Sequence, residues 1–266
     1  MRSIWKTPEK IKDILNSKNC LFCFDFDGTL APITGHYNDT IILHENKDIL
    51  TRLSKFPGAT VSIVSGRELK DVKKRIGIKN IFYFGNHGME VEGPGLRYTT
   101  FVPPEFKELI KIIELKLKPE LEEHEGVSVE NKKYTLSIHY RKAKYGDTKV
   151  IKRRIFDVMA PFIEDSKVSI NYGKKVVEIK PPVCWNKGKA VFWLVEYLHG
   201  KTRTSGTYPV FIGDDITDED AFRLLNKKGL CIRVGYKKNS FASCYLNDVK
   251  DVTRFIDHIL MQRRSA

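Results

Sequence analysis

Two aspartates two residues apart, Asp25 and Asp27, close the apolar run LFCFDFDGTL. Aspartate is a poor strand former, and two neighbouring carboxylates repel each other, so one must take up a proton unless a cation accompanies them. Gly28 follows, a residue that lets the backbone turn tightly and present its N–H groups to an anion, and Thr29 adds a hydroxyl. Carboxylate oxygens beside an anion cradle suit a hard divalent cation such as Mg2+, which often shares its coordination with phosphate. Three further segments stand at strand ends or helix starts: VSGRE with Ser65, WNKGKA with Lys187, and FIGDDITDEDAF with Asp214, Asp215 and Asp218. Each alone has an ordinary explanation as a helix cap, a solvated lysine or a first-turn match to a helix dipole. In this order, and all at strand ends, they point to one site.

The elements that must position these residues alternate from residue 20 to 85. CLFCFDF, ATVSIV and IFYF read as strands, separated by a helix from about His44 to Lys55 and by ELKDVKKRI, with Leu69, Val72 and Ile76 on one face. Short apolar strands between helices predict a parallel sheet covered on both sides. The pattern changes near residue 105. PEFKELIKIIELKLKPELEE predicts a helix, GVSVENK and KYTLSIHY two alternating strands, and DTKVIKRRIFDVMAPFI a helix with Val150, Ile151, Ile155, Phe156, Met159 and Phe162 inward. KVSINY and KVVEIK complete an α-β-β-α-β-β order, that of a small α+β domain. Strand and helix then alternate again through KGKAVFWLVEYL, YPVFIG, LCIRV and DVTRFIDHILMQRR. The expected fold is α/β: a Rossmann-like doubly wound parallel sheet core over 1–104 and 182–266, with an α+β cap domain inserted at 105–181. Such sheets bind ligands in the crevice at their strand ends. The first 18 residues predict a single helix, with Thr7 capping and Pro8 in its first turn.

Composition narrows the classes. A chain of 266 residues with 41% hydrophobic and 30% charged content is ordinary for a globular protein. The longest apolar runs are of strand length, and the charged N-terminus lacks the apolar core of a signal peptide, so the expectation is a cytoplasmic protein without a membrane span. Cys20 and Cys23 have CxxC spacing, but no second pair or nearby histidine accompanies them, and they read as buried structural thiols. The net charge of +13 is spread along the chain, with short clusters at 73–75 and 152–154 on helix surfaces. It suits an anionic small substrate, and no nucleic-acid partner is expected.

DFDGT, SGR, NKG and GDDITDED resemble, in order, the four motifs of haloacid dehalogenase-like phosphatases. The resemblance implies Asp25 as nucleophile, Asp27 as general acid and base, and Mg2+ held by Asp25, the Asp27 backbone carbonyl and Asp214. It further implies phosphate contacts from Gly28, Thr29, Ser65, Gly66 and Lys187, with Arg67, Asp215 and Asp218 as supporting groups around them. In the superfamily's ATPases a threonine stands at the position of Asp27, so aspartate here implies a phosphatase.

Within that superfamily the chain is similar to the trehalose-6-phosphate phosphatases. GNHGMEVEG resembles their Gly-x-His-Gly segment, implying that His87 and Gly88 line a sugar pocket with Asn186. The Glu-x-Lys and His-x-Arg patterns are met by Glu130, Lys132, His139 and Arg141, and the Lys and Glu pair by Lys174 and Glu178. These residues are expected to face the active site and bind sugar hydroxyls. No glycosyltransferase segment precedes the motifs, so the stand-alone form rather than a synthase fusion is expected; the protein is also expected to be a monomer. The same groups would serve a sucrose phosphate or mannosyl-phosphoglycerate phosphatase, and a non-catalytic sugar-phosphate sensor is a further, less favoured reading.

Overall fold

The apolar runs that lead into the site motifs form the middle of a nine-stranded sheet in a computed structural model that describes residues 1–173, 175–202 and 206–265. In chain order its elements begin with β1 (Arg2–Ser3), α1 (Pro8–Asn16), β2 (Asn19–Phe24), α2 (His44–Leu53), β3 (Ala59–Val64), α3 (Leu69–Ile76), β4 (Phe82–Gly85), β5 (Glu90–Gly93) and β6 (Leu96–Thr100). Next come α4 (Phe106–Leu121), β7 (Ser128–Asn131), β8 (Leu136–His139), α5 (Thr148–Glu164), β9 (Ser169–Gly173) and β10 (Val176–Lys180). The chain continues through α6 (Lys187–Thr202), β11 (Thr207–Gly213), α7 (Glu219–Leu225), β12 (Leu230–Val234), β13 (Cys244–Leu246) and α8 (Val249–Ser265). These elements divide into two units, Met1–Thr99 with Trp185–Ala266 and, between them, Thr100–Cys184.

In the first unit the strands run in the order β1-β13-β12-β11-β2-β3-β4-β5-β6. Pairing is parallel from β1 to β4, and β5 is antiparallel to β4. Side chains alternate across a strand, so Phe22 and Phe24 enter one core with Ile49 and Leu50 of α2, Val72 of α3 and Phe255 and Ile259 of α8. On α6 and α7, Val191, Leu194 and Phe222 are buried, and Phe222 meets Phe211 edge-on at 5.8 Å. Register sets the site: Phe24 lies beside both Ile212 and Ile63, so β2, β11 and β3 end level with one another.

The edges of this sheet depart from the expected pattern. The N-terminus is not a single helix: Arg2 and Ser3 pair with Cys244 and Tyr245 before α1 begins at Pro8. Thr7 precedes that helix without capping it, because its hydroxyl donates to the Ile4 carbonyl at 2.9 Å instead. β5, β6 and β13 are additional short strands, and β5 makes the sheet mixed rather than wholly parallel. The five cysteines are free thiols, Cys20, Cys23, Cys231 and Cys244 buried and Cys184 exposed. Burial pushes the Cys23 thiol upward, and pushes Cys231 and Cys244 to about 12. No helix among the described residues is long and apolar enough to cross a membrane.

The second unit is an antiparallel sheet in the order β7-β8-β10-β9 with helices α4 and α5. Leu136, Ile138, Val177 and Ile179 are buried, as are Ile110, Ile113 and Leu117 of α4. On α5 the buried stripe is Ile151, Ile155 and Met159, each four residues after the last. Val150 and Phe156, expected inward, are exposed, because each sits about 100° around the helix from this stripe. Phe162 is half-buried.

Candidate active site

The level ends of β2 and β11 bring the acidic residues together. Asp25 is the first residue beyond β2, tied to β11 by its N–H, which donates to the Ile212 carbonyl at 2.9 Å. Its Oδ1 lies 2.8 Å from Nζ of Lys187, the first residue of α6, and the same ammonium donates to Asp218 Oδ1 at 2.8 Å. All three side chains are buried. Burial disfavours the ammonium, yet Asp218 and Asp25 outweigh it and raise the Lys187 pKa. Asp25 is held well above the usual carboxylate range by its own burial, against the pull of Lys187 and with the repulsion of Asp218 and Asp214. Asp214 is pushed up to about 7 by burial and by Asp218 and Asp215. One ammonium thus faces three crowded carboxyl groups, a local deficit of positive charge.

That deficit fits a cation. Carboxylate oxygens of Asp25, Asp214 and Asp218 lie within 4.8 Å of one another, an all-oxygen donor set of the kind Mg2+ prefers. Asp218 is already engaged on both oxygens, since its Oδ2 accepts the Asp215 N–H at 2.9 Å in a reciprocal helix cap. Asp25 and Asp214 are therefore the carboxylates of the cluster that could hold such an ion, while Asp218 bonds Lys187. Gly28 takes φ +82°, and a Cβ there would fall 2.3 Å from Asp214 Oδ2, so only glycine lets the turn pass so close. Thr29 Oγ1 donates to Asp214 Oδ1 at 3.3 Å.

Arg233 has no place in the expected site, yet it braces the acidic segment from beneath. Its guanidinium donates to the Asp214 carbonyl, to the Asp215 carbonyl at 3.3 Å and to Glu219 Oε1 at 2.9 Å. The available signal was a lone charge inside the apolar strand LCIRV.

Asp27 is held from another direction. Arg67 grips it with two parallel bonds, Nε to Oδ2 at 2.8 Å and Nη2 to Oδ1 at 2.6 Å. The same guanidinium reaches Asp71 at 3.0 Å and the Tyr37 carbonyl at 2.7 Å, joining α3 to the loop after β2. Ser65 is buried, its Oγ accepting the Arg67 N–H at 3.1 Å. The His87 N–H donates to the Ser65 carbonyl at 2.9 Å. The His87 ring covers Gly66, with Cε1 2.6 Å from where a Cβ would stand. The Gly88 carbonyl accepts from Trp185 Nε1 at 2.7 Å, and Asn186 Oδ1 accepts the Lys189 N–H at 3.0 Å, capping α6.

In the second unit, register places Glu130, Ser137 and Glu178 in one row across β7, β8 and β10. His139, two residues past Ser137, shares their face. Its Nε2 is 2.9 Å from Glu130 Oε2, and Lys132 Nζ lies 3.6 Å from Glu178 Oε1 and 3.9 Å from Glu130 Oε2. Arg141 follows β8 by two residues, and Lys174 lies outside the described residues.

A buried Asp-Lys-Asp cluster beside a third carboxylate, at the carboxyl edge of a doubly wound sheet whose chain is interrupted by an α+β unit, is the build of the haloacid dehalogenase-like phosphatases. Residues 23–250 match the trehalose-phosphatase family. The chain is 32% identical over 277 residues to trehalose-phosphate phosphatase B of Arabidopsis thaliana, covering 97% of this chain and 71% of that one. It is 30% identical over 256 residues to trehalose 6-phosphate phosphatase RA3 of Zea mays, covering 90% of this chain and 69% of that one. The C-terminal domain of a C. albicans trehalose-6-phosphate phosphatase superposes with a TM-score of 0.80 at 26% identity, covering 95% of each chain. The chain belongs to the trehalose-phosphatase family and is a phosphatase.

Proposed function

We propose that this chain hydrolyses trehalose 6-phosphate to trehalose and inorganic phosphate through a phosphoryl group carried transiently on Asp25. The observation that carries the reading is the buried arrangement of Asp25, Lys187 and Asp218 beside Asp214. An Asp25 oxygen attacks phosphorus, and the bond from phosphorus to the sugar oxygen breaks as Asp27 protonates that oxygen. Asp27 then removes a proton from water, the hydroxyl oxygen attacks phosphorus, and the bond to Asp25 breaks to release phosphate. Lys187 neutralises charge on Asp25 and the phosphoryl oxygens, while Ser65 and Gly66 supply donors around them; the Gly28 N–H, given to the Ala31 carbonyl at 2.7 Å, and the Thr29 hydroxyl, given to Asp214, shape the turn instead of the phosphate contact expected of them. Asp25, Asp214 and the Asp27 carbonyl would hold Mg2+, which screens the repulsion between a carboxylate nucleophile and a phosphate dianion.

The sugar is assigned to Glu130, Lys132, His139, Arg141, Lys174 and Glu178, with His87, Gly88 and Asn186. Carboxylates accept and cations donate hydrogen bonds to sugar hydroxyls, which supports a polyhydroxylated leaving group. The same reading has the protein act as a cytoplasmic monomer on a small sugar phosphate, without nucleic acid. Phosphate release across trehalose 6-phosphate, sucrose 6-phosphate, glucose 6-phosphate and mannosyl-phosphoglycerate tests it. The expected kcat/KM for trehalose 6-phosphate exceeds the others by about 100-fold or more. Comparable values across the panel would rule out the narrow specificity.

A further inference from the structure

Glu90 opens β5 opposite Gly85 and is 1% exposed. A carboxyl group so placed is costly unless hydrogen-bonded, whereas an apolar side chain of similar size would fill the space without that cost. Its bonds run to separate elements. Oε2 accepts from Asn86 Nδ2 at 2.6 Å and, at the limit of bonding distance, from the N–H of Leu69, the first residue of α3, at 3.5 Å. Oε1 accepts from the Tyr98 hydroxyl at 2.9 Å.

The shortest of these bonds reaches a strained turn. Asn86 and His87 have φ of 47° and 57°, two consecutive non-glycine residues in the left-handed region. Such conformations persist only where the surroundings over-determine them. Here the Asn86 N–H is held by the Arg67 carbonyl at 2.7 Å, the His87 N–H by the Ser65 carbonyl at 2.9 Å, and the Asn86 amide by Glu90. The outcome of the turn is the placement of the His87 ring over Gly66.

We propose that Glu90 is a positioning residue for the sugar side of the site. By fixing the Asn86 amide it locks the left-handed turn and so aims His87, the residue assigned above to the leaving sugar. The inference rests on the proposed sugar-binding role of His87. Loss of Glu90 therefore weakens recognition of a bulky sugar phosphate and spares a small ester that needs only the phosphoryl site.

The test compares trehalose 6-phosphate with p-nitrophenyl phosphate in the wild-type chain and in E90A, E90Q and N86G. Wild-type preference for trehalose 6-phosphate is measured first, so a failure of the proposed substrate is separated from a failure of this inference. In E90A, KM for trehalose 6-phosphate rises about tenfold or more, kcat stays within about threefold, and kcat/KM for p-nitrophenyl phosphate stays within about twofold. E90Q keeps an acceptor for the Asn86 amide and returns KM to within about threefold of wild type. In N86G the backbone still reaches positive φ without strain, but the amide is gone, and KM rises as in E90A. Should E90A fail to fold, N86G decides. Wild-type KM in the folded variants overturns the proposal. Equal losses on both substrates also overturn it, leaving Glu90 as a support of the fold alone.

Discussion

Lys187 bridges two buried carboxyl groups, Asp25 and Asp218, beside the half-buried Asp214, and its removal is the sharpest residue-level probe of the site. Replacing one partner of a buried ion pair leaves the others uncompensated, at a cost of about 3–5 kcal/mol. K187M is expected to lose about that much stability at pH 8, measured by urea unfolding, and less at lower pH, because Asp25, held well above the usual carboxylate range by its burial, takes up a proton more readily there. A second expectation follows from Asp214, which the fold pushes up to about 7 from an ordinary 3.8. A carboxyl group that binds its proton more tightly when folded stabilises the protein at low pH, and that contribution is lost as pH rises from about 4 through about 7. Without a cation, stability attributable to this site therefore falls between pH 5.5 and pH 8. Mg2+ should raise the melting temperature more at pH 8 than at pH 5.5, and an equal shift at both pH values would contradict the crowding argument. Asp25, Asp27 and Asp214 were legible because carboxylates that close apolar strands are costly without a partner, and Lys187, the first residue of α6, was legible only together with them. Arg233 was not, because a charge inside LCIRV carries no mark of which backbone carbonyls it will brace.

At the scale of elements, legibility followed burial. β2, β3 and β11 are mostly apolar runs buried on both faces over their last four or five residues, and such runs have few alternative structures. β1 and β13 have two and three residues, and the pairing that defines them comes from distant parts of the chain. Local pattern cannot announce such pairing. α5 shows the converse error: its apolar residues cover more of the helix than the stripe that is buried. Phe156 is 47% exposed and Met159 is fully buried, so F156A should cost under about 1 kcal/mol and M159A about 2–5 kcal/mol in chemical denaturation. A larger loss from F156A would mean that Phe156 has a packing partner.

At the scale of the whole molecule, the net charge of +13 is distributed rather than gathered. Several of its bases are paired with neighbouring acids, as in Arg153 with Asp157, Arg154 with Glu120 and Arg75 with Asp71. The break in pattern near residue 105 and the α-β-β-α-β-β order were visible because an antiparallel sheet alternates apolar and polar residues, while the surrounding parallel strands do not. What such periodicity cannot supply is the sugar, since Glu130 and Glu178 would sit as readily on any half-exposed strand. The most direct test is phosphate release from trehalose 6-phosphate by chelator-stripped wild-type protein and by D25N, each with and without added Mg2+. The account predicts release by wild type only when Mg2+ is restored, and at least about a 1,000-fold loss in folded D25N under the same conditions. Undiminished release by D25N, or full wild-type activity after chelation, would contradict it.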